Sequence, residues 1–177
     1  NMDRKIDVGC YYFPNYHPND ARNAAVHGSG WSEWELVKAA RPRFPGHRQP
    51  LKPLWGYTDE SRPEVMARKI DAAWSHGIDY FIFDYYHYND GTFLSGCLDR
   101  GFLPAAAESP LKFALMWANH DWLDIHPYTK GDEQKILYPG RVTPETFDKI
   151  GDLIIKEYFT KPNYWTVDGK PYFSVYD

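Results

Sequence analysis

A chain of 177 residues is long enough for one ordinary domain and too short for a complete large barrel. Its formal net charge of -4 carries no basic footprint, so nucleic acid is not an expected partner. Aromatic residues make up 18% of it, and such an excess must fill a core or line a surface that takes flat, partly apolar ligands.

The first apolar segment, Ile6–Phe13 (IDVGCYYF), reads as a short strand weakened by Gly9. After it, about 14–62 forms a long first connection rich in Pro, Gly, Trp and Arg, a length that is usually functional in compact domains. Within it, Ser32 and Glu35 read as a capping box opening a short exposed amphipathic helix. That accounts for Glu35 and leaves Glu33 free. Arg41, Arg43, His47 and Arg48 read as a solvated loop clamped by salt bridges, with binding of an anionic substrate as the alternative.

A helix is predicted over RPEVMARKIDAAWSHG. Pro63 suits its first turn, Val65, Met66, Ile70, Ala73 and Trp74 share a face, and Gly77 closes it in a left-handed cap. The run Ile78–Asp84 and, later, Leu111–Trp117 are nearly continuous apolar segments, as parallel strands covered on both faces require. A less regular helix is expected between them, from about Thr92 to Ala107. Next, TPETFDKIGDLIIKEYF predicts a helix capped by Thr143, with Phe147, Ile150, Ile154 and Tyr158 as its apolar stripe. Pro171–Tyr176 is the last strand, and the chain stops just after it.

Strand–helix alternation with right-handed crossovers gives an α/β fold with a parallel sheet. About four such units over residues 1–177 make the front half of a (β/α)8 TIM barrel, which leaves two sheet edges unpaired. The expected native chain is therefore longer. Were it not, a homo-oligomer pairing across those edges would be one way to cover them. Cys10 and Cys97 read as small buried hydrophobes, not as a bridge. No apolar run is long enough to span a bilayer, so no membrane partner is expected, and the compartment stays open.

The strand ends carry the chemistry. They read Tyr11-Tyr12-Phe13-Pro14-Asn15-Tyr16-His17, Asp84-Tyr85-Tyr86-His87-Tyr88, Trp117-Ala118-Asn119-His120-Asp121-Trp122 and Tyr176-Asp177. In a parallel sheet these ends share one rim. Rings there can pack on the C–H faces of pyranoses while Asp, Asn and His hydrogen-bond the hydroxyls, which is what a carbohydrate site needs. For any single Tyr or Trp, core packing is the commoner duty. A carboxylate such as Asp84 has no place in an apolar core, since burying it unpaired costs several kcal/mol. His120, Asp121, Asp124 and His126 match no standard metal spacing. With no nucleophile elbow, phosphate loop or dinucleotide fingerprint either, no cofactor is expected.

The segments YYFPNYHP, GWSEWELVKAARPRFPGHRQPLKPLWGY, SRPEVMARKIDAAWSHGIDYFIFDYYHY, FALMWANHDW and VDGKPYFSVYD run in order along nearly the whole chain. Together they resemble the WbsX-like proteins, which are related to glycoside hydrolase family 99, the endo-α-mannosidase family. WxEWxxV, RPxFPGHxQP and WANxxW are the specific motifs. Arg62 stands where that family often has Asp, a detail at a helix start. The resemblance implies a (β/α)8 barrel about twice this length, with a sugar cleft at the carboxyl ends of the strands and retention through a substrate-derived intermediate. The catalytic carboxylates of family 99 lie in a Glu-containing motif late in the barrel, and this sequence ends before any counterpart. No catalytic residue is therefore assigned. The substrate-binding residues carried over are Tyr12, Glu33, Trp34, Asp84, Tyr86, Trp117, Asn119 and Asp121.

The expected function is that of a glycoside hydrolase-like protein acting on or binding an α-linked oligo- or polysaccharide. Two alternatives stand beside it. One is a non-catalytic carbohydrate-binding protein, and the other is a glycosyltransferase of polysaccharide biosynthesis.

Overall fold

A computed structural model describes residues 6–177; residues 1–5, which open the expected domain, lie outside the described residues. The apolar runs form a sheet of strands β1 (Gly9–Tyr12), β2 (Tyr80–Tyr88), β4 (Lys112–Trp117) and β9 (Phe173–Val175), in that order, each parallel to its neighbour. Helix α3 (Pro63–Ser75) lies between β1 and β2. A π-helical turn (Cys97–Phe102) running into α4 (Leu103–Ala106) precedes β4. Helix α5 (Pro144–Ile154), continued as a π-helical turn (Ile155–Phe159), precedes β9.

The helix signals act as expected. Gly77, at φ 92°, takes the left-handed conformation after α3. Thr143 caps α5 by accepting from the Thr146 N–H at 3.2 Å. Met66 and Ile70 of α3, with Ile150, Ile154 and Tyr158 from the last helical segment, are buried against Phe81, Phe83, Phe113 and Leu115 of the sheet. Phe147 departs from its stripe. It is 58% exposed, at the edge of this layer, with its ring centroid 6.0 Å from that of Trp117. Both cysteines are free, Cys97 buried and Cys10 half-buried.

The second strand does not stop at Asp84. It runs on to Tyr88, turns through Asn89-Asp90-Gly91, and pairs antiparallel with β3 (Gly91–Phe93). Gly91, at φ +127°, supplies the turn conformation that L side chains avoid. The helix expected from Thr92 therefore begins only at Cys97. This hairpin carries a second, smaller core of Tyr86, Tyr88, Phe93, Leu94 and Ala118, with Trp122 and Tyr138 packed against it. Two further antiparallel pairs have no counterpart in the predicted order: β5 (Trp122–Leu123) with β6 (Ile136–Tyr138), and β7 (Thr166–Val167) with β8 (Lys170–Pro171).

The long connection after β1 contains two short helices, α1 (Ala21–His27) and α2 (Trp34–Ala39). Asp20 caps α1, its carboxylate accepting from the N–H groups of Arg22 at 2.9 Å and Asn23 at 3.0 Å. The same carboxylate accepts from the Leu94 N–H at 3.0 Å, which ties α1 to the hairpin. The capping box does not form at α2. Glu33 occupies the cap position with helical dihedrals and no side-chain cap bond, so Ser32 sits one residue too early. Glu35 instead pairs with Lys38 at 2.6 Å. The salt-bridge clamp expected of the basic loop is also absent: among the described residues, Arg41, Arg43 and Arg48 have no carboxylate partner.

Candidate functional site

Residue parity decides which side chains can reach the rim. Successive side chains of a strand point to opposite faces. Tyr12, Phe83 and Leu115 point toward the helices, and so does Trp117. Phe13, Asp84, Tyr86 and Met116 have the other parity and point away from them.

On that second side, a cavity of about 260 Å³ opens at the carboxyl ends of β1, β2 and β4. Its apolar walls come from Phe13, Tyr86, Tyr88, Phe93 and Trp122. One polar side is a chain of amides. The Asn23 amide donates to Asn15 Oδ1 at 2.8 Å, and the Asn15 amide donates to Glu33 Oε2 at 2.5 Å. Both asparagines are buried, so the chain holds Glu33 at one orientation. Burial pushes the Glu33 carboxyl above its ordinary range, against the opposing pull of His126 and the Asn15 hydrogen bond.

The other polar side follows β4. Asp121 Oδ1 accepts from the Gly140 N–H at 2.7 Å. Only glycine fits at 140, because a Cβ there would lie 2.4 Å from the His120 carbonyl carbon. His120 meets Tyr86 edge-on at 5.7 Å between ring centroids and Tyr176 at 5.6 Å. Asp84 lies next to this group on β2. Its Oδ1 is buried without a hydrogen-bond partner, and burial pushes the carboxyl up to about 6, with His120 acting in the opposite direction.

Three of the eight predicted residues, Glu33, Tyr86 and Asp121, line the cavity. Asp84 is near it through His120. Asn119 is engaged elsewhere, its amide donating to the Asp177 carbonyl at 2.6 Å while its Oδ1 accepts from the Asp177 N–H at 3.0 Å. Three others do not line this cavity and take part in packing instead. The Tyr12 hydroxyl donates to the buried Glu60 at 2.7 Å, and its ring lies against Phe81 and Phe83. The Trp117 ring packs toward α5 because odd parity turns it to the helix side. Trp34 packs on Tyr16 and Tyr57 and donates its indole N–H to the Thr58 carbonyl at 2.7 Å, holding the long connection together.

Residues outside those eight complete the cavity: Asn15, His120 and Trp122 from the strand ends, with Asn23 and His126. Asn23 had a readable signal. Asp20 before an Ala-rich segment ending at Gly28 is a helix-start and helix-stop pattern. Among the described residues, no group of three or more His, Cys, Asp or Glu side chains is placed to hold a metal ion, and no helix is long and apolar enough to cross a membrane.

No curated protein sequence matches the chain. Among the solved structures that share its fold are two endo-alpha-mannosidases. One is a GH99 endo-alpha-mannosidase from Bacteroides thetaiotaomicron in complex with bis-tris-propane, at TM-score 0.61 and 17% identity, covering 97% of this chain and 42% of that one. The other, of a GH99 endo-alpha-mannosidase from the same organism, has TM-score 0.58 and 19% identity, covering 97% and 45%. The chain thus spans less than half the length of either, and its parallel strand–helix units correspond to part of a (β/α)8 barrel. In sequence, the pattern of the family described as "Glycosyltransferase WbsX" matches residues 8–177, and the chain belongs to that family.

Proposed function

We propose that this protein binds an α-linked glycan in the cavity at the carboxyl ends of its strands and acts on it as a glycoside hydrolase. The carrying observation is the pairing of aromatic walls with a hydrogen-bonded carboxylate, Glu33, in one cavity. Rings of Tyr86 and Trp122 offer flat faces to a pyranose, and Glu33 and Asp121 accept from its hydroxyls. Asp84, whose carboxyl is held at about 6, is half protonated near that pH and can donate or accept a hydrogen bond. Its role is to bind hydroxyls or tune a neighbour, since a paired mechanism needs a second carboxylate opposite it across the scissile bond. The α-linkage rests on the fold shared with the endo-alpha-mannosidases.

A second reading, transfer from a nucleotide-sugar donor, is favoured by the description of the family. Both are tested by a glycan-binding panel and a reducing-end assay on the full-length protein, with and without nucleotide sugars. Trp122→Ala should weaken glycan binding about tenfold, the loss of roughly 1.4 kcal/mol from one aromatic platform. Trp117→Ala should lower stability and leave affinity intact. Glycan release without a donor supports hydrolysis, donor-dependent activity supports transfer, and equal effects of the two Trp variants on binding would remove this cavity from the reading.

A further inference from the structure

A second groove adjoins the cavity. It has a volume of about 780 Å³ and shares the wall formed by Ile125 and His126 with the first. The ionisable side chains lining it are Arg41, Arg43, Lys130, His126 and Tyr128, and none is a carboxylate. The three acids nearest in sequence, Asp124, Asp132 and Glu133, wall a different cavity, which shares His126, Pro127 and Tyr128 with this groove.

Three cations thus line one concavity with no acid among the lining residues. Elsewhere among the described residues, several cations have a carboxylate within reach. Arg22 has Asp90, Lys38 has Glu35, Arg62 has Glu64 and Lys69 has Glu60. Among the described residues, Arg41, Arg43 and Lys130 have no such partner. Gathering unpaired like charges around one concavity costs self-repulsion, which an anion in the groove would relieve. Arginine suits planar or tetrahedral oxyanions because its fork donates two parallel hydrogen bonds. Tyr128, 59% exposed beside these cations, offers a ring face of the kind that stacks on a sugar.

We propose that the groove is an anion-recognising subsite contiguous with the glycan cavity, so that the glycan bound here carries a carboxylate, sulfate or phosphate group one or more residues along from the sugar in the cavity. The inference rests on the glycan reading above. It is tested on the full-length protein with neutral oligosaccharides, with the same oligosaccharides bearing a uronic acid, a sulfate or a phosphate, with inorganic sulfate alone, and with a UDP-sugar. One or more anionic forms should bind at least tenfold tighter than the neutral parent, and this margin should shrink as salt is raised. The exposed double variant Arg41→Gln/Arg43→Gln should lose that margin while keeping neutral binding. Lys156→Gln/Lys170→Gln, with the same change in net charge away from the groove, should keep it.

Equal binding of neutral and anionic glycans overturns this inference and leaves the glycan reading standing. Equal loss in the two double variants also overturns it, because net charge and not the groove would then be responsible. Inorganic sulfate binding as tightly as the sulfated glycan overturns the link to the cavity. Groove-dependent binding of the UDP-sugar above every acidic glycan overturns the acidic-glycan assignment in favour of a donor diphosphate. Binding of no glycan at all overturns both readings.

Discussion

The two faces of the parallel sheet carry similar residues to opposite ends. On the helix side, Phe81, Phe83, Phe113 and Leu115 are sealed by α3, the Cys97–Phe102 turn and α5. On the other side, Tyr11 stays 63% exposed, Phe13 stays 39% exposed, and Asp84 keeps a buried oxygen without a partner. Aromatic residues occur on both. The difference teaches that a ring's duty here follows from its parity along the strand and not from its type.

That comparison is broken most directly by truncating one ring on each side. Phe83 is fully buried, and Phe83→Ala should cost about 3–5 kcal/mol in chemical denaturation. Phe13→Ala should cost about 1 kcal/mol or less while weakening glycan binding, since Phe13 walls the cavity. Similar stability losses for the two would mean that the faces are energetically equivalent.

Asp84 gives an intermediate effect with a defined sign. Its folded carboxyl titrates at about 6, above the ordinary 3.8, so the fold prefers the protonated form. Stability from this group is present in full below about 3.8 and is lost as pH rises through 6. Asp84→Asn should therefore raise Tm at pH 8, by about 2–4 °C for each kcal/mol relieved, and the gain should shrink between pH 6 and 4. A pH-independent gain would show that desolvation of the carboxylate is not the cause. Glycan affinity unchanged in the same variant would remove Asp84 from the site.

The smallest effect sharpens the comparison furthest, because it uses adjacent residues. Tyr85 points to the helices and its hydroxyl is 3.0 Å from His87 Nδ1, whereas Tyr86 points into the cavity. Tyr85→Phe should cost about 1 kcal/mol and leave binding alone. Tyr86→Phe should change stability by no more than about 0.5 kcal/mol and reduce glycan affinity. The opposite pattern, read by denaturation and binding titration, would reverse the parity assignment.

Much of the frame was legible in the residues. Apolar runs around Phe81 and Phe113 marked the parallel strands, and Pro63, Gly77, Thr143 and Pro144 punctuated the helices. Individual site residues were less so. The motif that contains Trp117 places it at a strand end, but one step of parity turns it to the other face. Asp84 resembles a strand terminator in sequence, but Asp90-Gly91 between aromatic runs is a hairpin signal, and the strand continues past Asp84 to reach it. Trp34 resembles a ligand platform in sequence because its loop partners, Tyr16, Tyr57 and the Thr58 carbonyl, are brought to it only by tertiary folding. Asn15 and Asn23, eight positions apart, join through α1, and sequence spacing alone does not show that bond.

The hairpin of β2 and β3 has a separate consequence. Its small core is closed by Arg22, whose guanidinium lies 5.0 Å from the Tyr88 ring centroid and 4.9 Å from that of Tyr138 while pairing with Asp90. This cluster is held together by rings and one cation outside the main core, so it can open on its own schedule. Amide hydrogens there should exchange earlier than those of β4. A ligand that slows that exchange without altering β4 would report occupancy of the rim while the sheet beneath remains a silent reference.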